Sequence, residues 1–311
     1  MPDPKPAEQR HQVAPQRAFG MMRETETAAS ARAGRKLRPG LAHARAESAR
    51  RSLARCHLCE HHCGVDRLGG ERGLCGAGER ARIFSAQVEV SDELELIPVF
   101  AIALSGCDLR CDFCITGRES WNPRAGQDIS PEAIAAQAKA ALEEGARSVM
   151  ILGGEPTVHL PDALEIVAAM PEEAFLIWKT NAHGSAVARA LVEGMFDLWL
   201  ADYKFGNDDC AQRLARAPRY TQVVRENLLW AARQGDLLIR HVAMPGHVDC
   251  CWKPVARWLA EELPGVKVNL RTGFWPAWRA ARHAELSATL SQTENDLAWG
   301  LAREYGLNLI R

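Results

Sequence analysis

The stretch Leu96-Ile-Pro-Val-Phe-Ala-Ile-Ala-Leu104, followed by Ser105-Gly106-Cys107-Asp-Leu-Arg-Cys111-Asp-Phe-Cys114, decides how the rest of the chain is interpreted. Its first nine residues are almost continuously apolar, which is typical of a strand buried on both faces of a parallel sheet. The spacing Cys-x3-Cys-x2-Cys lets three thiolates converge on one soft metal centre, as in iron–sulfur clusters. Three cysteines leave one iron of a cubane free for another ligand. The alternatives are zinc, which usually takes four protein ligands, and three structural thiols.

A second cysteine cluster precedes this strand. Cys56, Cys59, Cys63 and Cys75 are separated by two, three and eleven residues, and glycines between them permit tight turns. Four thiols at these spacings could close a tetrahedral site. The spacing fits a structural zinc ion and an auxiliary iron–sulfur cluster equally well.

Composition limits the protein class. The chain has 311 residues, a net charge of -1 and 47% hydrophobic residues, and no apolar run approaches the ~20 residues of a membrane-spanning helix. These values give no reason to expect a nucleic acid or a membrane as a partner. Cysteines in two tight clusters, with no apolar signal segment at the start, predict a metalloprotein of the reducing cytoplasm.

The chain divides into three predicted regions. Residues 1–50 are rich in Ala, Arg and Glu and predict a disordered tail or a polar, solvated helix, with helix most favoured between Glu24 and Ala54. Residues 51–80 form the cysteine-rich metal-binding segment. Residues 81–311 alternate strands and helices, which predicts an α/β fold with a parallel sheet.

In such folds, ligands gather at the carboxyl ends of the strands. Gly153-Gly154-Glu155-Pro156 follows the strand that starts at Ser148, and a pair of glycines at a strand end lets a ligand approach the backbone. Polar residues also end two later strands: Lys179 and Asn181 in one, Asp202 and Lys204 in the other.

The strand followed by Cys-x3-Cys-x2-Cys, with Phe113 before the last cysteine, resembles the signature of the radical S-adenosylmethionine superfamily, and Gly153-Gly154-Glu155 resembles its second motif. The resemblance implies a partial (β/α)6 barrel. It further implies a [4Fe-4S] cluster on Cys107, Cys111 and Cys114, with the amino group of S-adenosylmethionine held at Gly153, Gly154 and Glu155. Reductive cleavage would give a 5′-deoxyadenosyl radical, with electrons from a donor such as flavodoxin or ferredoxin.

Further motifs are similar to those of the pyruvate formate-lyase-activating-enzyme-like branch (PflX type). They are the block from Cys56 to Ala77, Asp202-Tyr203-Lys204-Phe205, and Arg240-His241 before Met244-Pro245-Gly246. This branch implies hydrogen abstraction from a protein glycine, and cofactor contacts from Lys179, Asn181, Asp202, Lys204 and His241. Lys179 departs from the aspartate usual at that place, and a lysine there could pair with the cofactor carboxylate directly. Gly273-Phe274 replaces the branch's Gln-Tyr.

Two alternatives stay open at the level of sequence. The chain could be a zinc- or cluster-binding interaction or electron-transfer protein with a degenerate barrel. Cys250-Cys251, close after His247, could bind a metal or donate hydrogen, although a buried structural pair is the more common outcome.

Overall fold

The structure is a computed structural model that describes residues 26–90, 93–128 and 130–310. Its strands are β1 (Ile83–Glu89), β2 (Val99–Leu104), β3 (Ser148–Gly153), β4 (Leu176–Thr180), β5 (Leu198–Asp202), β6 (Asp236–Val242), β7 (Lys267–Arg271) and β8 (Asn308–Leu309). Its α-helices are α1 (Glu26–Ser52), α2 (Gly117–Trp121), α3 (Pro131–Glu143), α4 (Leu160–Ala169), α5 (Ala186–Val192), α6 (Asp208–Ala215), α7 (Tyr220–Gln234), α8 (Lys253–Glu262) and α9 (Gln292–Glu304).

The eight strands form one sheet in chain order. Strands β2 to β7 are six neighbouring parallel strands, β8 adds a short parallel edge, and β1 pairs antiparallel with β2. Helices connect the parallel strands, as a parallel sheet requires. The predicted α/β fold with a partial (β/α)6 barrel is therefore confirmed. The alternating pattern after Arg82 also predicted a strand there, but not that β1 would pair antiparallel with β2.

Strand residues alternate between the two faces of this sheet. Phe100, Ile102, Trp178 and Trp199 belong to the core that also contains residues of α1, α3 and α4. On the same strands, a separate apolar group fills the other face near the amino ends; it contains Val99, Met150, Ile177, Leu198, Leu200 and Leu238. The space above that group, at the carboxyl ends, is where the site lies.

Helix α1 packs on the barrel through small residues. Ala42, Ala46 and Ala49 are buried at intervals of three and four residues, which place them on one face of the helix. The Arg38 guanidinium donates to the carbonyl oxygen of Ala174 and to Asp197. A polar surface helix was one of the expectations for this part of the chain. Its buried alanine face was not predicted, because alanines give little apolar signal in sequence. The rest of the predicted tail, residues 1–25, lies outside the described residues.

Helix α6 was not expected. Asn207 caps it by accepting a hydrogen bond from the backbone N–H of Cys210, and Arg216 ends it with a left-handed backbone, φ 56°. In the described part of the chain, the helices are all too short or too polar to cross a membrane.

Candidate active site

The cysteine loop begins where β2 ends. Gly106 turns the chain with φ +86°, and a Cβ there would lie 3.0 Å from Cβ of Pro123. Cys107 and Cys111 are buried, and Cys114 is half-buried. The hydroxyl Oγ1 of Thr116 lies 3.3 Å from Sγ of Cys114. The loop therefore gathers the three predicted ligands at the carboxyl end of a buried strand.

Gly153 and Gly154 bring the end of β3 against this loop. A Cβ on Gly153 would lie 2.0 Å from the carbonyl oxygen of Leu104, and one on Gly154 would lie 2.0 Å from that of Gly106. The backbone N–H of Gly154 donates to Leu104 over 2.8 Å, and that of Glu155 donates to Gly106 over 2.9 Å. Both glycines line the cavity described below. The sequence predicted that the glycine pair lets a ligand approach the backbone. In the structure, the two glycines also let the end of β3 pack against the cysteine loop.

Glu155 ties the ends of β3 and β4 together. Its buried carboxylate accepts hydrogen bonds from the N–H and hydroxyl of Thr157, the hydroxyl of Thr180 and the N–H of Asn181, over 2.5 to 3.1 Å. Burial, followed by the nearby charge of Asp108, raises its pKa to about 7. Four donors from the protein already occupy this carboxylate. Its predicted contact with a cofactor therefore stays a prediction.

Asp108 forms a buried polar network that sequence reasoning missed. Its carboxylate accepts from Nδ2 of Asn181 over 2.7 Å and lies 3.2 Å from Nδ1 of His183. The other ring nitrogen of His183 lies 3.0 Å from the carbonyl oxygen of Pro218. Burial alone would raise the pKa of Asp108, but His183 and Asn181 hold it below its ordinary value, and Asp108 in turn raises the pKa of His183 despite burial.

Asn181 connects this network to the metal loop. Its Nδ2 also lies 3.7 Å from Sγ of Cys107. An acidic residue directly after the first cysteine, together with a strand-end Asn-x-His, is the signal that could have identified the network.

One cavity unites these elements. Its volume is about 480 Å³, which falls within the range of small-molecule sites. It is lined by Cys107, Cys111, Cys114, Gly153, Gly154, Glu155, Lys179, Asn181, Asp202, Lys204, Arg240 and Arg271, among others. Ile115 and Trp275, which are 83% and 69% exposed, also line it. The structure therefore brings ten of the predicted reaction-loop and cofactor-binding residues to one cavity.

Most of the charged side chains that line the cavity are cationic. Nζ of Lys204 lies 2.5 Å from Oδ2 of Asp202. Burial would raise the pKa of Asp202, but Lys204, Arg240 and Lys179 together hold it below its ordinary value. Asp202 raises the pKa of Lys204 against the effect of burial. Four cationic side chains and two carboxylates line the cavity, and the buried carboxylate of Glu93 pairs with Arg240 and Arg271. Arg271 was not among the predicted binding residues.

His241 lies away from this cavity, which corrects its predicted cofactor contact. Its neighbours Arg240 and Val242 line the cavity, and adjacent strand residues point to opposite faces. Nδ1 of His241 lies 2.6 Å from the carbonyl oxygen of Tyr203, and its ring packs 4.7 Å from that of Trp252. Burial lowers its pKa to about 4, so the ring is neutral at pH 7.

The N-terminal cysteine segment lies beside the cysteine loop. Cys56, Cys59, Cys63 and Cys75 line one small cavity with His61. Nε2 of His61 lies 2.9 Å from the carbonyl oxygen of Asp108, and Arg110 donates to the carbonyl oxygen of Leu74. Within residues 26–90, 93–128 and 130–310, one group of His, Cys, Asp or Glu side chains has at least three ligand atoms within 4.8 Å of one another, and that group belongs to neither cysteine cluster. The sulfurs of both cysteine clusters are thus spread more widely than those around a single ion.

A family model described as the radical SAM superfamily matches residues 102–259, just over half of the chain. The chain is 28% identical over 285 residues to the uncharacterized protein MJ0674 of Methanocaldococcus jannaschii, an alignment that covers 88% of this chain and 82% of that protein. It is 38% identical over 65 residues to 7-carboxy-7-deazaguanine synthase of Prochlorococcus marinus, covering 21% and 28% of the two chains.

Among solved structures, the chain is similar to SuiB of Streptococcus suis bound to the precursor peptide SuiA. The TM-score is 0.49 at 15% identity, and the match covers 65% of this chain and 46% of that one. The chain therefore spans less than half the length of that protein.

The residues present fit the cofactors of this family, a [4Fe-4S] cluster and S-adenosylmethionine. Three thiols meet at a cavity large enough for a ligand beside them, and the irons of a cubane hold their thiolates further apart than one ion does. On the family match and this donor set, the chain belongs to the radical SAM superfamily, whose enzymes use a [4Fe-4S] cluster and S-adenosylmethionine.

Proposed function

We propose that this chain holds its cluster on Cys107, Cys111 and Cys114 and binds S-adenosylmethionine in the adjoining cavity. The radical made there would abstract a hydrogen atom from a substrate. The observation that carries the proposal is the single cavity shared by the three cysteines and the cationic strand ends. When both cofactors are bound, the chemistry they supply is a one-electron reductive cleavage of S-adenosylmethionine, which gives methionine and a 5′-deoxyadenosyl radical.

The residues around the cavity divide this work. The backbone at Gly153 and Gly154 would receive the amino group of S-adenosylmethionine, with Glu155 fixing that backbone through its links to Thr157 and Asn181. Asn181 would hold Cys107 through its N–H···S contact. Asp202 and Lys204 would hold a polar group of the cofactor while neutralising each other.

The direct test uses protein reconstituted with iron and sulfide under anaerobic conditions. With dithionite and S-adenosylmethionine, wild type should form 5′-deoxyadenosine, and Cys111→Ala should form at least 100-fold less while keeping its circular dichroism spectrum. Equal product from the two proteins would contradict the assignment of Cys111.

Lys179 would pair with the carboxylate of S-adenosylmethionine. It lies close enough to Asp202 to lower the pKa of that carboxyl, on the wall of the cavity. Losing a charged hydrogen bond costs about 1.5–3 kcal/mol, so Lys179→Met should raise the KM for S-adenosylmethionine about 10- to 100-fold at unchanged iron content. Lys139→Met is the matched control, because Lys139 is exposed on α3. An unchanged KM in Lys179→Met would contradict the pairing.

The finer proposal for the substrate is a glycine Cα–H in a protein. Motif similarity to the activating-enzyme-like branch supports it, and exposed Ile115 and Trp275 at the cavity mouth suit a polypeptide. The test offers the enzyme an extract of cells grown on glycine deuterated at Cα. Deuterium in 5′-deoxyadenosine, from the protein fraction alone, is expected. Transfer only from the small-molecule fraction would overturn the glycine proposal and leave the cleavage chemistry in place.

The N-terminal cysteine segment would hold an auxiliary iron–sulfur cluster that receives electrons from a reducing partner such as flavodoxin or ferredoxin. Among the described residues, its four sulfurs are not gathered within 4.8 Å of one another, which favours a cluster over a single ion, and it contacts the reaction loop through Arg110 and His61. Cys59→Ser should lose iron and leave the zinc content unchanged. The reverse result would favour the zinc alternative.

The competing hypothesis is an electron-transfer or interaction protein with a degenerate barrel. Six parallel strands with a cavity of about 480 Å³ at their carboxyl ends favour the catalytic hypothesis. An electron carrier would show redox-active clusters without any cleavage of S-adenosylmethionine.

A further inference from the structure

A group of four potential metal ligands lies outside the active cavity, on the loops after β5 and β6. Cys210 is in the first turn of α6, which follows β5. His247 follows β6 and directly precedes a π-helical turn, Val248–Trp252, that carries Cys250 and Cys251. Such π-helical turns are frequent at functional sites.

The side chains of these four residues converge. Nδ1 of His247 lies 3.5 Å from Sγ of Cys210, 3.2 Å from that of Cys250 and 3.8 Å from that of Cys251. Sγ of Cys250 lies 3.9 Å from the sulfurs of both Cys210 and Cys251. All four ligand atoms lie within 4.8 Å of one another.

These distances match the edges of a small tetrahedron. Zinc bonds of about 2.3 Å to sulfur and about 2.0–2.1 Å to nitrogen, at tetrahedral angles, separate two sulfurs by about 3.8 Å and a sulfur from a nitrogen by about 3.5 Å. Thiols are weak hydrogen-bonding groups that have little reason of their own to cluster around one imidazole nitrogen. We propose that Cys210, His247, Cys250 and Cys251 bind one zinc ion as a closed, four-coordinate Cys3His site.

The groups behind the ligands suit this assignment. Nε2 of His247 lies 3.6 Å from Oε1 of Glu285 and 3.5 Å from Nη2 of Arg213, whose guanidinium donates to the same carboxylate oxygen. A metal-bound histidine commonly directs its second N–H to a carboxylate. Nδ2 of Asn207 lies 3.8 Å from Sγ of Cys251, while its Oδ1 accepts from the N–H of Cys210. A Cβ on Gly206 would lie 2.3 Å from the carbonyl oxygen of Cys251, so only glycine lets the two loops meet this closely.

The accessibility of the ligands also fits. Cys210, His247 and Cys251 are buried, whereas Cys250 is exposed and offers an entry path. With four protein ligands, the ion has no open position for a substrate, so the site is structural.

The zinc ion would stabilise the reaction loop through α6. The carbonyl oxygens of Leu214 and Ala215, at the end of α6, accept hydrogen bonds from the backbone N–H groups of Asp112 and Arg110, over 2.9 and 2.8 Å. An ion that fixes the start of α6 against the loop after β6 therefore also holds the helix on which the Cys107–Cys114 loop rests.

The test is metal analysis of full-length protein together with X-ray absorption at the zinc edge. Wild type should contain one zinc per chain, with about three sulfurs near 2.3 Å and one nitrogen near 2.0–2.1 Å. Cys250→Ser should lose that zinc at unchanged iron content and melt at a lower temperature. Asp249→Asn is the matched control, because Asp249 is exposed in the same turn and is not a ligand; it should keep the zinc.

Two results would overturn the proposal. One is wild type without zinc, or with zinc whose shell lacks the three sulfurs; this spectrum needs no variant to fold. The other is a zinc content that stays the same in Cys250→Ser but falls in Cys59→Ser, which would place the ion in the N-terminal segment. Neither result depends on cleavage of S-adenosylmethionine, so the proposed function would stand or fall separately.

Discussion

Asp108 shows how one residue can organise a metal loop without ligating the metal. It is 1% exposed and sits between Cys107 and the end of β4, where it meets both Asn181 and His183. A buried carboxylate of this kind is stable only while its partners remain, because removing one partner leaves an uncompensated charge. Its position directly after the first cysteine makes the loop's conformation depend on β4.

Replacing Asp108 with Asn should therefore lower both stability and activity. The amide can accept from only one of the two donors and turns its own NH2 toward the other, which should cost about 3 kcal/mol of unfolding free energy. We expect slower 5′-deoxyadenosine formation as well, measured on protein with the same iron content.

Asp112→Asn is the control for this change, since Asp112 lies in the same loop and pairs with His283, and the two side chains are 17% and 15% exposed. Its cost should be smaller than that of Asp108→Asn, because water still reaches this pair. Equal costs in urea unfolding of the two variants would refute the special role of Asp108.

At the scale of elements, much of this fold could be predicted from the sequence. Continuous apolar strands alternate with helices, and the carboxyl ends of parallel strands necessarily share one edge, so the two strongest motifs could be expected to meet. The orientation of residues on β6 could not be predicted, because apolar residues stand on both faces of that strand and each face also carries a polar residue near its end. Arg240 rather than His241 faces the cavity. Cys210 was missed because it lies forty positions before Cys250 in the sequence, and the two are brought together only in the fold, where β5 pairs with β6.

The contact between the β3 end and the cysteine loop gives an element-scale prediction. In Gly154→Ala the new methyl group would lie 2.0 Å from the carbonyl oxygen of Gly106, so the two strand ends must separate. We expect reconstituted Gly154→Ala to hold less than half the iron of wild type in the reaction-loop cluster and to form at least ten-fold less 5′-deoxyadenosine.

Gly300→Ala serves as the comparison for Gly154→Ala, because nothing lies within 4 Å of its added methyl group on α9. It should match wild type in iron and product. Full iron content in Gly154→Ala would show that the contact tolerates separation.

For the whole molecule, the carboxyl edge of the sheet carries the reaction loop, the cationic wall and the loops of the proposed zinc site, while the N-terminal segment lies against the reaction loop. The packing of groups around the barrel could not be predicted from the sequence. Helix α1 packs through alanines, and His241 packs between Tyr203 and Trp252. Stability of the whole chain therefore depends on buried groups that have no catalytic role.

Two of these buried groups should make stability depend on pH. Burial lowers the pKa of His241 to about 4 and that of His159 to about 3, below the ordinary value of 6.5. Because the unfolded chain binds these protons first, their contribution is complete above about pH 6.5 and is lost as the pH falls toward 4. Each histidine removes about 1.4 kcal/mol of stability per pH unit within that window.

His241→Asn should remove one of these two contributions. Between about pH 7 and about pH 5.5, its melting temperature should fall by about 3 °C less than that of wild type, although the variant melts lower overall because its contact with Trp252 is lost. The melting temperature of His43→Asn should fall in parallel with that of wild type over the same pH range, since the His43 side chain is 71% exposed. Parallel curves for His241→Asn and wild type would mean that His241 takes up its proton in the folded protein as readily as in the unfolded chain, and that the acid sensitivity originates elsewhere.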